Sequence, residues 1–453
     1  MPVPPGGITV DEPYRVGLEA YRLLLPPVLS ELARRAMTAD GAPRASGCAP
    51  ENQLGVVAVP GADAGLCPRV DLAVLTAHLW LDVRRDPVAI VIPELGGRAF
   101  LMKIVSMWTR VVACYGSLRP GPRRALLVAD HDWSGTATDG IDVVRLPGGR
   151  GRLIATVKLE TPGDIEEVRR TREWFSRWRV APLAAFGHDR AAQAVLTQAR
   201  TGERPSAPSA PSAPNGPVEQ VRSMNPREFF ELGCALIHSI PAAREDAHLL
   251  DRMMRLGLRP TTRLPWSALD ATVRRGLHHA AAIALGEIER SPLPGATIRG
   301  WTIDRESAHH YRERAVAAFH GLLAPDLVHE LSACSCADGQ DQPLSGAARY
   351  RLRFDHATIP PADCSWSLTL YDVNGVLAPN AIERHAVHGN QVRRSSTDGS
   401  IDICLQRHPP PPEAISGWLP TPSGRFELQL RLYWPKTEAQ TGRWSPPPIE
   451  RIT

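Results

Sequence analysis

The carboxy-terminal part of the chain alternates. In RFELQLRLYW the apolar Phe426, Leu428, Leu430, Leu432 and Trp434 share one parity, and Glu427, Gln429, Arg431 and Tyr433 the other. In SWSLTLYD, Trp366, Leu368 and Leu370 alternate with Ser365, Ser367, Thr369 and Tyr371; in SIDICLQ the apolar set is Ile401, Ile403 and Leu405. A period of two sends successive side chains to opposite sides of a pleated strand, so each run predicts a strand with a greasy face on a core and a polar face toward water. Strands of this kind, joined by short Gly-rich and Pro-rich turns, predict an antiparallel sandwich or jelly roll.

Upstream the period changes. Asp11 to Met37 reads as a helix that the Pro26-Pro27 pair should kink or split. Short β-prone segments follow: VAIVIP, AFLMKIVSMW, ALLVAD, DVVRL and LIATVKL. Asp164 and Glu167 have capping-box spacing at the head of a helix whose apolar stripe is Ile165, Val168, Phe175 and Trp178. PSAPSAPSAP, 205–214, favours extended polyproline geometry and reads as a linker. Beyond it, Asn225-Pro226-Arg227-Glu228 starts a helix, another ends near Gly257, one from Ser267 carries the stripe Leu269, Val273, Leu277, Ala281, Ala284 and Ile288, and a last one covers Glu306 to Leu323.

These elements predict a β-rich α+β chain: two antiparallel, jelly-roll-like β-sandwich domains with flanking and intervening helices. The expected division is 11–197 for the first β-rich domain, 198–217 for the linker, 218–340 for a helical segment and 341–453 for the second sandwich. A length of 453 residues exceeds what one hydrophobic core usually supports, which agrees with several packed units.

Composition narrows the function classes. The net charge is +4, and 49 of the 52 basic residues are arginine, the exceptions being Lys103, Lys158 and Lys436. Those arginines alternate with acids, as in IEEVRRTREWFSRWR, which is a solvated helix face and not a nucleic-acid footprint. The eight cysteines have no regular spacing, so free thiols are expected, and the isolated Cys334-Ser335-Cys336 lacks the second pair of a zinc ribbon. MPVPPGGITVDEPYR has no charged leader or apolar h-region, and FLMKIVSMWTRVVACYG is broken by Lys103 and Arg110. A soluble cytoplasmic protein with no membrane partner is the expectation.

Candidate chemistry gathers between Ser365 and Val387, in SWSLTLYDVNGVLAPNAIERHAV. Asp372 precedes Val373-Asn374-Gly375, where a carboxylate accepts turn amides; alternatively it pairs with Arg384, which could orient it or hold an anion. His385 would need an acid partner to act as a base. The adjacent pairs His278-His279 and His309-His310 point about 100° apart on a helix and do not share a metal easily. GWLPTPSG could line a pocket or finish a core. Nucleophile elbows, phosphate loops and dinucleotide fingerprints are absent, and GGRGR at 148–152 lacks their spacing.

The candidate ligand-binding set is therefore Asp372, Asn380, Arg384, His385, Arg431 and Tyr433, with no metal or cofactor expected. The leading functional expectation is a small-molecule or glycan-type binder, or an assembly module, built on the second sandwich, with homo-oligomers open. The alternative is an enzyme on a small organic substrate, using Asp372 as acid or base and Arg384 or Arg431 to hold an anionic group. A third reading makes these residues structural only.

SWSLTLYDVNGVLAPNAIER, STDGSIDICLQ and GWLPTPSGRFELQLRLYWP, in that order and spacing, resemble the bacterial domain of unknown function 1214. ARRAM, ENQL, LWLDVRRDPVAIVIP, GGRAFLMKIVSMWT and ALLVADHDWSG look like its usual partner, domain of unknown function 1254. The resemblance implies two jelly-roll-like sandwiches with helical additions, often oligomeric, and brings no agreed chemistry. Family members carry a string R-P-N-x-D-T-x-Y-S-x-A-W-L-D that falls on Arg69 to Asp82. Here Arg69, Trp80, Leu81 and Asp82 remain, Asp71 replaces the asparagine, and Ala73, Val74 and Thr76 replace the aspartate, threonine and tyrosine. Ser106 and Arg110 stand where an aspartate and an asparagine are common, and His385 where an aromatic is usual. If those polar residues form a family site, this copy has lost much of it.

Overall fold

The computed structural model describes residues 11–42, 44–64, 66–117, 125–137, 141–186, 216–240, 242–303, 310–321 and 327–452. The 205–214 linker, His309 and both ends of the expected Glu306–Leu323 helix lie outside them; the described part of that helix is Tyr311–Phe319. Among the described residues no helix is long and apolar enough to cross a membrane. All eight cysteines are free thiols.

The fold is mixed α/β, with four open and mainly antiparallel sheets. In the first half a five-stranded sheet runs in the order Gly55–Val56, Val74–Asp82, Arg150–Lys158, Phe100–Ser106, Val111–Gly116. It packs on a four-stranded sheet ordered Asp142–Leu146, Ala125–Asp130, Val88–Val91, Arg179–Pro182. Leu75, Leu79, Met102, Ile104, Leu153 and Val157 from one sheet meet Val88, Ile90, Leu126 and Val128 from the other. The second half repeats the plan with six strands, ordered Ala296–Ile298, Trp301–Ile303, Glu330–Ser335, Phe426–Pro435, Ala362–Asp372, Ala386–His388. Its partner sheet is Trp418–Leu419, Ile401–Leu405, Arg349–Phe354, Glu450–Ile452. The pairing is not wholly antiparallel: Ala125–Asp130 with Asp142–Leu146 and Ile401–Leu405 with Trp418–Leu419 are parallel.

The alternation correctly selects the core face of the long carboxy-terminal strands, since Leu368, Leu370, Phe426, Leu428, Leu430 and Leu432 all enter the sandwich core. The expectation that the opposite face meets water is overturned. Ser367 and Thr369 are 0% exposed, Gln429 3% and Arg431 5%, because this polar face lies against the first half of the chain. Trp434 also departs from its parity. A left-handed backbone there (φ 52°) takes it out of register, and its ring joins Tyr433, Val74 and Leu101 on the side away from the sandwich core.

The first helix, Asp11–Thr38, runs unbroken through Pro26 and Pro27. Each proline removes a hydrogen bond and costs about 3 kcal/mol in an isolated helix. Here both are buried, and the helix is the hub of a bundle with Pro217–Ser223, Pro226–Ser239, Ala247–Arg255, Ala271–Arg290 and Tyr311–Phe319, so tertiary packing outweighs propensity. Asn225 caps its helix as the sequence indicates, accepting from the Glu228 amide at 2.9 Å. Asp164 caps the helix that follows it, but Glu167 turns instead to the amides of Glu160 and Thr161.

Candidate functional site

The five-stranded sheet also has two faces. Even-numbered residues of Val74–Asp82 and Arg150–Lys158 point away from the core, and the register pairs Val74 with Lys158, Thr76 with Thr156, His78 with Ile154 and Trp80 with Arg152. The next strand adds Leu101 beside Thr156, Lys103 beside Ile154 and Val105 beside Arg152. This face is the floor of a cavity of about 300 Å³. The polar face of the six-stranded sheet supplies one wall, with Glu330, Arg431, Tyr433 and Trp434; the bundle supplies another, with Leu29, Ala33, Val218 and Ala318. The remaining wall is the loop carrying Asp63, Cys67, Arg69 and Asp71. The cavity thus sits where both sandwiches and the helices meet, and the Arg69–Asp82 string forms much of it.

Two of the six sequence candidates are here. Tyr433 donates to Asp71 Oδ2 at 2.6 Å and meets the Ser367 hydroxyl at 2.9 Å. Burial and the Asp71 charge push its phenol well above the ordinary range. Arg431 donates to Tyr371 Oη at 2.9 Å and to Gln429 Oε1 at 2.7 Å, and Tyr371 in turn donates to the Val70 carbonyl at 2.7 Å. Arg69 binds the three parts together: its amide donates to Gly375 O at 2.8 Å, its Nη1 to His320 O at 2.8 Å, and its Nη2 forms an ion pair with Glu427 at 2.6 Å. It does so in the left-handed backbone region (φ 53°), a conformation a non-glycine residue adopts at a cost that surrounding contacts must offset.

At the Arg152 end lies a ring of four side chains that sequence reading missed. His78 and Asp63 meet at 3.0 Å, and Arg152 Nη2 donates to His78 Nδ1 at 2.9 Å and to Cys67 Sγ at 3.4 Å. Burial, with the Arg152 charge adding to it, lowers the His78 pKa to about 4, so the ring is neutral at pH 7. An imidazole that accepts at Nδ1 carries its proton on Nε2 and donates to Asp63. Burial works against the Asp63 charge, but His78, a backbone amide and the Arg152 charge together outweigh it and hold the carboxyl below its usual range. Burial pushes the Cys67 thiol up. Asp63, Cys67 and His78 offer metal-ligating atoms within 4.8 Å of one another. The guanidinium already uses the His78 and Cys67 lone pairs, so a dication would have to displace it; the donor set fits a guanidinium better than a metal.

The electrostatics of the lining are unbalanced. Four cations, Arg69, Arg152, Lys158 and Arg431, face three carboxylates, Asp63, Asp71 and Glu330. Adding the partners just behind, Lys103 on Glu330 and Glu427 on Arg69, leaves the same excess of one positive charge. Neither Arg152 nor Lys158 has a carboxylate within ion-pair distance among the described residues; the Lys158 ammonium donates only to Leu159 O, at 2.9 Å, and burial lowers its pKa. Three lining residues also carry a buried N–H with no acceptor among the described residues: Trp80 Nε1, Arg152 Nε and Trp434 Nε1. A buried donor without a partner costs about 1–3 kcal/mol.

The other four candidates lie elsewhere. Asp372 Oδ1 accepts the amides of Asn374 at 2.8 Å and Val376 at 3.0 Å, which is the turn role. Asn380 closes its own loop, accepting the Arg384 amide at 3.0 Å and donating to the Arg384 carbonyl at 3.0 Å. Arg384 reaches Ile415 O at 2.7 Å and Ser416 O, and His385 Nδ1 lies 3.0 Å from Ala378 O. No hydrogen bond or ion pair joins Asp372 to Arg384 among the described residues. Asn380, Arg384 and His385 border a separate, more open cleft of about 890 Å³ that Asp372 does not line.

A usable signal was present for the missed residues. In a chain that uses arginine for 49 of 52 basic positions, two of the three lysines, Lys103 and Lys158, fall within β-prone runs, where a charge interrupts an otherwise apolar strand. Both belong to the site: Lys158 lines the cavity and Lys103 pairs with Glu330 at 3.0 Å. Nothing local brings Asp63 and Cys67 to His78, which depends on how the 61–69 loop folds back.

Comparison with known proteins agrees with this architecture. Over its whole length the chain is similar to the crystal structure of the VPA0106 protein from Vibrio parahaemolyticus, with 17% identity, a TM-score of 0.62, and 97% of this chain and 100% of that one covered. A Burkholderia cenocepacia crystal structure aligns with 12% identity and a TM-score of 0.43 over 98% of this chain and 94% of that one. No curated protein matches the chain. Residues 52–176 match the family described as protein of unknown function DUF1254, and residues 329–437 the family described as protein of unknown function DUF1214. With the first match on one sandwich and the second on the other, the chain belongs to the two-part family that joins DUF1254 to DUF1214.

Proposed function

We propose that the protein binds a small, mainly apolar anion in the central cavity. The observation that carries this reading is the excess positive charge and the unpaired N–H groups on an otherwise apolar lining. Buried cations and orphaned donors are costly, and the same ligand relieves both if it brings acceptor oxygens and one negative charge. A volume of about 300 Å³ lies at the lower end of the roughly 300–1,000 Å³ that ligand pockets occupy.

The second sandwich contributes one wall of this pocket and the DUF1254 half contributes the floor, so the binding role belongs to their junction. A mainly apolar cavity of this size gives less support to a glycan. An enzyme using Asp372 with Arg384 has less support too, because both groups are committed to backbone partners, Asp372 in its own turn and Arg384 at the 415–416 turn. Thermal-shift and calorimetric titration with decanoate, decanol and decylamine tests the reading. Decanoate is expected to raise the melting temperature in proportion to its binding and to quench the fluorescence of Trp80 or Trp434, with the other two much weaker. Equal stabilisation by decanol, or none by any straight-chain acid from hexanoate to dodecanoate, overturns it.

A further inference from the structure

We infer that the ligand is two-ended, with a carboxylate at the Arg152 end of the cavity and a neutral acceptor, a hydroxyl or carbonyl, at the Lys158 end. This inference rests on the binding reading above and concerns what distinguishes one anion from another. The cavity floor is set by strand register. Arg152, Ile154, Thr156 and Lys158 lie on one face of a single strand, so the Cα atoms of the two cations are about 20 Å apart at about 3.3 Å per residue. A volume of about 300 Å³ drawn out between them accommodates a chain better than a compact ring system.

The polar groups without partners gather at the two ends. Near Arg152, its own Nε and the Nε1 of Trp80, the residue directly opposite in register, have no acceptor among the described residues. The guanidinium sits 5.2 Å from the centre of the Trp80 ring, and its single engaged amino group, Nη2, is bound to neutral His78 and Cys67. Near Lys158, the ammonium lies 5.2 Å from the centre of the Tyr433 ring, and Trp434 Nε1, in the same apolar layer as Tyr433 and Val74, has no acceptor. Between the ends the floor offers Ile154, Leu101 and the two threonines at 76 and 156.

The ends differ in what they tolerate. Asp71 is charged close to Lys158, favouring the ammonium, and Tyr433 already donates to it, so a second carboxylate there would face like charge. A hydroxyl or carbonyl can accept from Lys158 or Trp434 without that repulsion. At the Arg152 end Asp63 keeps its charge but lies across the His78 ring from the guanidinium, and the free guanidinium edge offers the paired donors that suit a carboxylate. The single excess positive charge of the lining also matches one carboxylate and not two.

The test compares decanoate, its ω-hydroxy derivative and decanedioate by calorimetry on the unmodified protein, then on Lys158→Met and Arg152→Met. The ω-hydroxy acid is expected to bind about tenfold more tightly than decanoate, one added hydrogen bond to a cation, and decanedioate no more tightly than decanoate. Lys158→Met should collapse the ω-hydroxy preference to about one, and Arg152→Met should weaken both monoacids alike. Equal affinity of decanoate and its ω-hydroxy derivative for the unmodified protein overturns the two-ended ligand while leaving the anion site standing. Tightest binding by decanedioate overturns the assignment of a neutral acceptor to the Lys158 end. Failure of all three to bind overturns the anion site itself, and the series on the unmodified protein decides the matter even if a variant does not fold.

Discussion

Two polar clusters come from the same sheet and behave oppositely. The loop that follows Ala362–Asp372 carries Asp372, Asn380, Arg384 and His385 within a short stretch, and each spends its hydrogen bonds on backbone a few residues away or on the neighbouring 415–416 turn. The polar face of Phe426–Pro435 carries Arg431 and Tyr433, whose partners Arg69 and Asp71 lie more than three hundred residues earlier in the chain. Closeness in sequence gave the first cluster its look of a site, and it is that closeness which lets backbone saturate it. The second cluster is isolated in sequence and becomes a site only when the other sandwich is laid against it.

The largest expected difference between the clusters is energetic. Arg431→Met leaves the Tyr371 hydroxyl, the Gln429 amide oxygen and the Arg69 carbonyl short of a donor in a buried region. Such losses add to about 3–5 kcal/mol, read as a shift in the urea midpoint. Arg384→Ala removes hydrogen bonds at a half-exposed loop and is expected to cost about 1 kcal/mol or less. Equal costs for the two variants would mean that Arg431 is no more deeply built in than the loop arginine.

The same contrast explains how much was legible in the sequence. Leu428 and Leu430 declare a core face because burying apolar area needs no particular partner, only the right parity. The parity of Arg431 and Tyr433 says only that they face away from that core. Whether water or another domain covers them depends on packing between segments far apart in the chain, and the alternation is the same in both cases. Asp372 was legible as a turn residue because its partners are two and four residues away. His78 was not singled out because Leu79 and Trp80 beside it make the strand look wholly apolar, and its partners Asp63 and Arg152 come from two other segments. Pro26 and Pro27 mislead for a related reason: local propensity says break, and five packed helices say continue.

The inner cluster should also set the response to acid. His78, beside Asp63 and Arg152, and His388, near Lys158, Asp71 and Arg384, are both held neutral, with pKa lowered from 6.5 to about 4 chiefly by burial. The unfolded chain therefore binds protons that the folded chain refuses. Their contribution is complete above pH 6.5, falls as the pH drops toward 4, and does not fall further below that. A shift of that size is worth on the order of 3 kcal/mol for a single histidine. Unfolding free energies measured across this range should rise with pH, and His78→Gln should flatten the slope. An unchanged slope would show that His78 does not titrate as a buried neutral group.

The smallest effect should come from the residue that looked most like chemistry. Asp372 Oδ1 accepts two turn amides, and the turn it stabilises presents the Gly375 carbonyl to the Arg69 amide at 2.8 Å. Asparagine keeps an acceptor oxygen in the same place, so Asp372→Asn should change stability by less than about 1 kcal/mol and decanoate affinity by less than about twofold. Asp372→Ala removes the acceptor and should cost somewhat more stability with the same affinity, because the turn loosens while the lining of the cavity keeps its charges. If Asp372→Asn left stability intact but abolished ligand binding or turnover, the carboxylate charge itself would be required, and the division between a saturated loop and a working junction would have to be redrawn.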